Sequence, residues 1–282
     1  MNPALSSFAA LLLGATAAHA ATISVNSGSL GSAADGSDST GVTLGVAGPL
    51  GSPTDTAAHY GGGTTGSPIN TTIPFNSALN PASSSPFTIE FWVKPDTNVT
   101  DGSGPAPVFN RVSTSPRSGW VFFQRDQTQG WNFAMYNGTG STVGTQMTGG
   151  TYTPGVWSQV VVTWDGTAPT MYVNGVNTNA AVTGPGGYAA STSAIFSIGS
   201  YDTGANTFSG GVDETAFYGT ALSQSQIQAH FNAAGSTDPN AYSNLVTGDG
   251  ALLYIRNAQV PEPASAGLLL LSLAPLLRRR RA

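Results

Sequence analysis

The sequence predicts an all-β protein in which many short strands form antiparallel sheets. Its 282 residues include 36 glycines and 18 prolines, and only 8% of the residues are charged. Such a composition supplies many turns and suits short strands better than helices. Segments in which apolar and polar residues alternate recur along the chain, and this period of two is typical of strands. With 40% hydrophobic residues the chain can bury one good core, so we expect a single domain.

The clearest strand pair lies between Gly155 and Val176. On its first strand Val160, Val162 and Trp164 share one face, because side chains in a strand alternate between the two faces. Residues 165–169 are Asp-Gly-Thr-Ala-Pro, which form a turn before the chain returns. An isolated hairpin is only marginally stable, so this one is predicted to belong to a larger sheet.

Two further segments have the pattern of strands that face the core. The run Phe87–Lys94 alternates cleanly and places Trp92 opposite its apolar face, where the indole would either stack on a sugar or pack inside the protein. We favour packing, because large aromatic side chains bury most of their area. Residues 120–125 and 131–136 are predicted to form a second hairpin, in which Arg125 and Tyr136 stabilise strand pairing rather than bind sugar.

The ends of the domain are also predicted to be strands. Thr22–Val25 forms the first strand, the Gly, Ser and Asp-rich residues 27–40 form a loop, and Leu252–Arg256 pairs with the first strand. The strand Phe208–Tyr218 leads into a short helix, for which Ser223 and Gln226 form a capping box.

These motifs resemble those of laminin-G-like, concanavalin-A-like jelly-roll domains. The resemblance is carried by Trp164-Asp165-Gly166, by Tyr172-Val173-Asn174-Gly175, and by the Gly-x-Asp-Glu strand that precedes the short helix. It implies a two-sheet antiparallel jelly-roll sandwich over residues 21–258, with one short helix near its C-terminal end. It implies little about function, because lectins, adhesion modules, glycoside hydrolases and polysaccharide lyases share this sandwich.

The resemblance also suggests one metal ligand. In related domains an acidic residue of the closing strand can help to hold a structural calcium ion, so Asp213 is the candidate ligand here. The alternative is that Asp213 is a buried, hydrogen-bonded carboxylate. The loop that contains Asp35 and Asp38 also offers oxygen atoms, but it lacks the closing glutamate of a helix-loop-helix calcium site, so a solvated turn is favoured.

The N-terminal residues 1–20 are predicted to be a secretory signal. An apolar run ends in Ala18-His19-Ala20, the small-x-small pattern that signal peptidase cleaves, although no Lys or Arg precedes the run. The alternative is a buried N-terminal helix.

Residues 259–282 form a three-part tail. Val260-Pro261-Glu262-Pro263 is followed by the apolar run Ala264–Leu277 and by Arg278, Arg279, Arg280 and Arg281. This order resembles the PEP-CTERM sorting signal, which exosortase is thought to cleave. Arginines that follow an apolar run hold that end in the cytoplasm, and the run is short for a membrane span. We therefore expect transient membrane insertion and release to the cell surface or extracellular matrix of a bacterium. The alternative is a permanent C-terminal anchor.

Charge and composition exclude several classes of function. Between Ala21 and Gln259 the chain has five basic and thirteen acidic residues, a net charge of about −8, which does not suit nucleic-acid binding. It has no cysteine, so neither disulfides nor thiolate metal sites exist.

No catalytic motif emerges from the sequence. The chain lacks the cluster of two glutamates and a central aspartate that retaining glycosidases of this architecture typically carry on one strand. Glu90 and Glu214 remain as a conceivable carboxylate pair. The prediction is therefore a non-catalytic, exported protein that associates with polysaccharide. The alternatives are a glycan-active enzyme that uses Glu90 or Glu214, and a purely structural surface protein.

Overall fold

The structure, a computed structural model, describes residues 22–64, 66–100, 104–201, 203 and 205–256. Within these ranges the chain forms seventeen strands and two α-helices. The strands are β1 (Ile23–Ser24), β2 (Gly36–Asp38), β3 (Thr43–Ala47), β4 (Thr56–Gly61), β5 (Thr71–Ile73), β6 (Phe87–Pro95), β7 (Val108–Arg111), β8 (Ser118–Gln124), β9 (Trp131–Asn137), β10 (Val143–Gly149), β11 (Ser158–Trp164), β12 (Pro169–Val173), β13 (Val176–Asn177), β14 (Val182–Thr183), β15 (Phe196–Ile198), β16 (Ser209–Tyr218) and β17 (Ala251–Ile255). The helices are α1 (Gln224–Ala234) and α2 (Ala241–Gly248).

The strands form two antiparallel sheets. Sheet A has the order β1-β2-β5-β15-β7-β8-β9-β10-β14, and sheet B has the order β13-β12-β11-β6-β16-β4-β3, with β17 paired to β16. The long strand β16 pairs with β6 along one side, and with β4 and then β17 along the other. This arrangement confirms the predicted all-β, two-sheet sandwich.

The main core lies between the two sheets and is rich in aromatic side chains. Trp120 and Phe122 of sheet A contact Phe217 and Phe91 of sheet B, with ring centroids 6.5 and 4.9 Å apart. Val160, Val162 and Trp164 face this core as the alternation predicted. Burying a large apolar side chain stabilises the fold by about 1.5–3 kcal/mol, so the many aromatic side chains of this core replace the missing disulfides as the source of stability.

Both helices lie on the outer face of sheet B and form a second apolar layer. Ile227 of α1 and Val246 of α2 pack with Trp92, Val161 and Tyr218 of the sheet. The central strands β6, β11 and β16 of sheet B are therefore buried on both faces, and the prediction that Trp92 packs inside the protein is confirmed. The capping box at Ser223 and Gln226 is also present.

Several sequence predictions need correction. The structure has two α-helices, whereas the sequence predicted one. Helix α2 was missed because it is short and its N-cap residue Asn240 forms no side-chain capping bond. Residues 27–40 are not only loop, since they contain β2 and a turn of 3-10 helix. Strand β17 pairs with β16 rather than with β1, and only Asn26, just after β1, forms a bridge to Ile255.

The predicted secretory signal and sorting tail lie outside the described residues. Neither helix of the described part combines the length and the apolar character that crossing a membrane requires.

Candidate functional site

Three features of sheet B bear on function: an acidic cluster, a buried glutamate and an open groove. We define the acidic cluster as Asp55, Asp213 and Glu214, from each of which one carboxylate oxygen lies within 4.8 Å of the others. Asp55 precedes β4, and the other two residues are consecutive in β16.

Consecutive strand residues normally point to opposite faces. Here the pairing of β16 with β6 shifts between Asp213 and Ala216, and Glu214 has a φ of 51°. This bulge allows both carboxylates to approach Asp55.

Burial and one cation control the charge of the acidic cluster. Asp213 and Glu214 are fully buried, and burial raises the pKa of Glu214 to about 7. The Tyr254 hydroxyl donates a hydrogen bond to Glu214, and Arg256 Nε lies 3.5 Å from Glu214 Oε1. Burial also raises the pKa of Asp55, although the Leu50 N–H opposes this shift. Three ionised carboxylates this close would repel one another. Arg256, a bound proton or another cation must therefore compensate their charge.

The donor set of the acidic cluster fits calcium. Carboxylate oxygens are the ligands that calcium prefers, and a cavity of about 40 Å³ lies beside Asp55, Glu214 and Arg256. Asp213, the candidate from the sequence, therefore lies in the described group of carboxylates that could bind a metal ion. Asp55 was missed, because nothing in the local sequence links it to residues so far along the chain. Asp38, the other acidic position considered, accepts hydrogen bonds from Ser24 and Thr71.

Glu90, the other glutamate considered for catalysis, is the centre of a buried hydrogen-bond network. Its carboxylate is fully buried and accepts bonds from Gln159 Nε2 (2.7 Å), Tyr242 Oη (2.7 Å), Tyr218 Oη (3.0 Å) and His230 Nδ1 (2.8 Å). We call these five residues the Glu90 network. Four donors for one carboxylate satisfy its lone pairs, as a buried charge requires.

His230 carries the positive charge of the Glu90 network. Its second ring nitrogen, Nε2, lies 3.0 Å from Asp249 Oδ2, so both nitrogens face carboxylates and both must donate. Burial alone would lower the pKa of His230, but Glu90 and then Asp249 raise it above the ordinary value. Burial likewise disfavours the ionised Glu90, yet the charge and the hydrogen bond of His230 lower the pKa of Glu90 overall. The network holds α1 and α2 on sheet B.

Glu90 and Glu214 thus lie in different surroundings. Glu90 is held by residues of β11, β16 and the helices, whereas Glu214 contacts Tyr254 and Arg256. Neither carboxylate has a solvent-exposed surface of any size. The sequence alone could not show that the helices cover the face of β6 on which Glu90 lies.

An open groove runs between α1 and the residues that immediately precede β11. This aromatic groove has a volume of about 750 Å³. It is lined by Pro49, Gly51, Trp92, Gly155, Val156, Trp157, Asn174, Phe231, Asn232, Ala234 and Gly235. Trp92 and Phe231 stack with their ring centroids 5.9 Å apart, and Trp92 Nε1 donates to Tyr242 Oη.

Trp157 is the most accessible tryptophan of the aromatic groove. It is half-buried, and a Cβ atom added at Gly211 would lie only 2.6 Å from its indole ring. The missing side chain at Gly211 therefore lets the indole lie across β16. Lys94 Nζ lies 5.1 Å from the centroid of the same ring, within the range of a cation–π contact. In the sequence Trp157 lies just before β11 within the predicted hairpin, and nothing in the local pattern shows that its indole is accessible.

A second cavity lies beside the loop that follows β6. Residues 97–100 of this loop line a volume of about 300 Å³. Its walls are polar or aliphatic and include Asn98, Gln124 and Thr207, with no aromatic side chain among the described lining residues. In the second hairpin Trp120 and Trp131 are fully buried, which confirms a structural role for both.

Comparison with protein families identifies the domain. The laminin G family described as the concanavalin A-like lectin/glucanases superfamily matches residues 61–228, more than half of the chain. The chain belongs to this family. No curated protein sequence matches the chain significantly.

Solved structures support the same fold at low sequence identity. The binding domain of Paraclostridial mosquitocidal protein 1 is 17% identical with a TM-score of 0.50, and the match covers 74% of this chain and 52% of that one. The sialidase of Trypanosoma rangeli, solved in complex with 2,3-difluorosialic acid, is 16% identical with a TM-score of 0.50, and the match covers 72% and 30% of the two chains. The chain thus spans about half of the first protein and less than a third of the second.

Proposed function

We propose that this family member is an exported, non-catalytic protein that binds polysaccharide in the aromatic groove. The observation that carries the proposal is the half-buried indole of Trp157 beside Phe231 in an open cavity of about 750 Å³. Aromatic rings present apolar faces on which the C–H groups of a sugar pack, and Asn174 and Asn232 place amide groups beside them for its hydroxyls. The family contains lectins and glucanases by its description, and one fold relative was solved with a sialic acid derivative.

The experiment that tests this site is retention of the protein on a panel of bacterial and plant polysaccharides. Trp157→Ala is expected to weaken binding at least tenfold, which corresponds to about 1.4 kcal/mol. Phe75→Ala is the matched control, because Phe75 is an exposed aromatic side chain (41%) that does not line the groove. Equal losses in the two variants would contradict the proposal. No retention on any glycan would favour a purely structural surface protein.

A glycan-active enzyme is the rival function, and the buried state of both glutamates supports the binding role instead. Replacing Glu90 and Glu214 together by glutamine distinguishes the two. An enzyme would lose turnover of a polysaccharide, whereas a binding protein that still folds keeps its affinity for the same polysaccharide. Release of reducing ends and retention, measured on the same polysaccharides, give the two readouts.

We also propose one structural calcium ion at the acidic cluster. Calcium would replace the proton on Glu214 as the compensating charge and tie β4 to β16 through Asp55. A ligand that binds only the folded state raises the melting temperature. We therefore expect calcium to raise the melting temperature over a chelated control, and Asp213→Asn to abolish that rise. An identical melting temperature with and without calcium would contradict the proposal.

The two ends of the chain support export. We propose cleavage after Ala20 by signal peptidase, and sorting by exosortase at residues 260–263 after transient membrane insertion of the tail. The destination would be the cell surface or the extracellular matrix of a bacterium. Mass spectrometry of the exported protein tests both steps. A product that still ends in Arg281-Ala282 would contradict processing of the tail.

A further inference from the structure

Arginine and tyrosine side chains form a second cluster on the outer face of sheet A. The aromatic groove, in contrast, lies on sheet B. Arg111 at the end of β7 pairs in register with Gly119 of β8, and Gly119 pairs with Tyr136 of β9. These three residues therefore form one row across three strands. Because Gly119 has no side chain, the Arg111 side chain can cross β8 and reach the Tyr136 ring.

The Arg111 guanidinium is held between two aromatic rings. Its Cζ lies 4.8 Å from the ring centroid of Tyr136 and 4.6 Å from that of Tyr201. Arg117 Cζ lies 5.8 Å from the Tyr136 ring, which brings a second cation to the same place. The Tyr201 ring is itself fixed by an edge contact with Phe109, at a centroid distance of 4.3 Å. We call Arg111, Arg117, Tyr136 and Tyr201 the arginine–tyrosine cluster.

The charge of Arg111 has no carboxylate partner among the described residues. The side chain is buried, with 6% of the residue exposed, and its Nε has no hydrogen-bond partner there. The ion pairs found in that part of the chain involve His59, His230 and Arg256 instead. The hydroxyl of Tyr201, a residue only 3% exposed, also lacks a partner in the described structure. Buried cations are normally paired, and contacts with aromatic rings offset only part of their desolvation.

This arrangement suits an oxyanion from outside the chain. A guanidinium presents a planar set of N–H donors that matches a carboxylate or sulfate, and stacking on rings fixes its plane in advance. Arg117 adds charge, and the Tyr201 hydroxyl is a further donor. The domain is acidic as a whole, so the rest of its surface repels an anionic polymer, and binding of such a polymer would depend on this one cluster.

We propose that the arginine–tyrosine cluster binds the anionic group of an acidic polysaccharide, either the carboxylate of a uronate or a sulfate ester. The site is separate from the aromatic groove and does not depend on sugar binding there. The cluster would let the protein select charged glycans, which its negative net charge does not predict.

Affinity electrophoresis of the full chain tests the proposal. The gels contain alginate as the uronate, dextran sulfate as the sulfate ester, or neutral dextran. We expect alginate, dextran sulfate or both to retard the protein, and Arg111→Met to weaken that binding at least tenfold. Arg125→Met is the matched control. It removes the same charge from the same face about 20 Å away along β8, and Arg125 is already placed over Phe123 with a hydrogen bond to Asn132.

Thermal melting separates binding from a purely structural role. Replacing an uncompensated buried charge by an apolar side chain of similar length leaves stability unchanged or raises it. Arg111→Met is therefore expected to melt at or above the wild-type temperature without ligand. If this variant does not fold, the Arg111 Nε–H signal in an NMR titration of the wild type with alginate oligomers decides, since bound oxyanion must shift it. Equal losses in the Arg111 and Arg125 variants, no retardation by either charged polymer, or an unmoved Nε–H signal would overturn the proposal.

Discussion

Replacing Glu90 by glutamine should destabilise the protein in a manner that depends on pH. Glu90 and His230 form a fully buried ion pair at 2.8 Å, and removing one member of such a pair costs about 3–5 kcal/mol. Domains of this kind have total stabilities of about 5–15 kcal/mol, so the loss is a large fraction. The substitution keeps the size of the side chain, and the cost therefore reports charge and hydrogen bonding rather than a cavity.

The pH dependence follows from the direction of each pKa shift. The lowered pKa of Glu90 means that its stabilisation is present above the ordinary value of 4.5 and is lost as pH falls through the folded pKa. The raised pKa of His230 means that its stabilisation is present below 6.5 and is lost as pH rises through the folded pKa. The ion pair therefore contributes fully between these two ordinary values.

At higher pH a change in the hydrogen bonds of His230 reduces the destabilisation caused by Glu90→Gln. Once His230 is neutral, its Nδ1 can accept a hydrogen bond from the amide of glutamine at position 90 while Nε2 still donates to Asp249. The difference between wild type and Glu90→Gln should thus be largest between the ordinary values of 4.5 and 6.5 and should shrink as pH rises through the folded pKa of His230.

Urea unfolding followed by tryptophan fluorescence measures this difference, because Trp92 contacts Tyr242 of the same network. His59→Gln is the control. His59 and Asp96 form a pair at 3.0 Å with about a third of each side chain exposed, and such pairs contribute about 0–1 kcal/mol. A loss below about 1 kcal/mol for Glu90→Gln near pH 6, or a loss independent of pH, would refute the assignment of a buried ion pair.

Other substitutions test neighbouring features. Trp92→Phe removes the indole N–H that donates to Tyr242 and should cost about 1–2 kcal/mol in urea unfolding, whereas no loss would mean that the bond contributes nothing. Glu214→Gln should stabilise the calcium-free protein by about 1–3 kcal/mol above pH 7, because the raised pKa of Glu214 means that stability falls as pH rises from 4.5 through about 7. A melting profile in which the variant is less stable there would show that the ionised carboxylate is needed. Ser223→Ala removes the capping box of α1 and should cost about 1 kcal/mol, which the same unfolding assay would detect.

The sheets could be predicted from the sequence because their signals are local. The alternation in β6 and β11, the turn at Asp165 and the capping box at Ser223 each depend on a few neighbouring residues. The Asp165 turn, for example, is fixed by bonds from the N–H groups of Thr167 and Ala168 to its own carboxylate. The same locality explains the missed helix α2, whose eight residues have no such signal at their N-terminus.

The sites could not be predicted in the same way, because they depend on contacts between distant segments. Asp55 and Glu214 meet through the pairing of β4 with β16 and a bulge that no motif announces. Glu90 gains its charge partner from a helix that begins more than a hundred residues later. In the sequence Arg111 is one of five basic residues between Ala21 and Gln259, and only the strand register places it between Tyr136 and Tyr201.

The bridge between Asn26 and Ile255 has a consequence for how such a domain can be combined with others. The Asn26 side chain accepts a bond from Tyr254 N–H and donates to the carbonyl of Leu252, so the two ends of the described domain lie side by side. A domain with adjacent ends enters and leaves at one point, and it can be inserted into a surface loop of another protein without separating the two halves of its host. It can likewise be permuted, with a short linker that joins residues 22 and 256 and new ends opened in the turn after Trp164, while every strand keeps its neighbours.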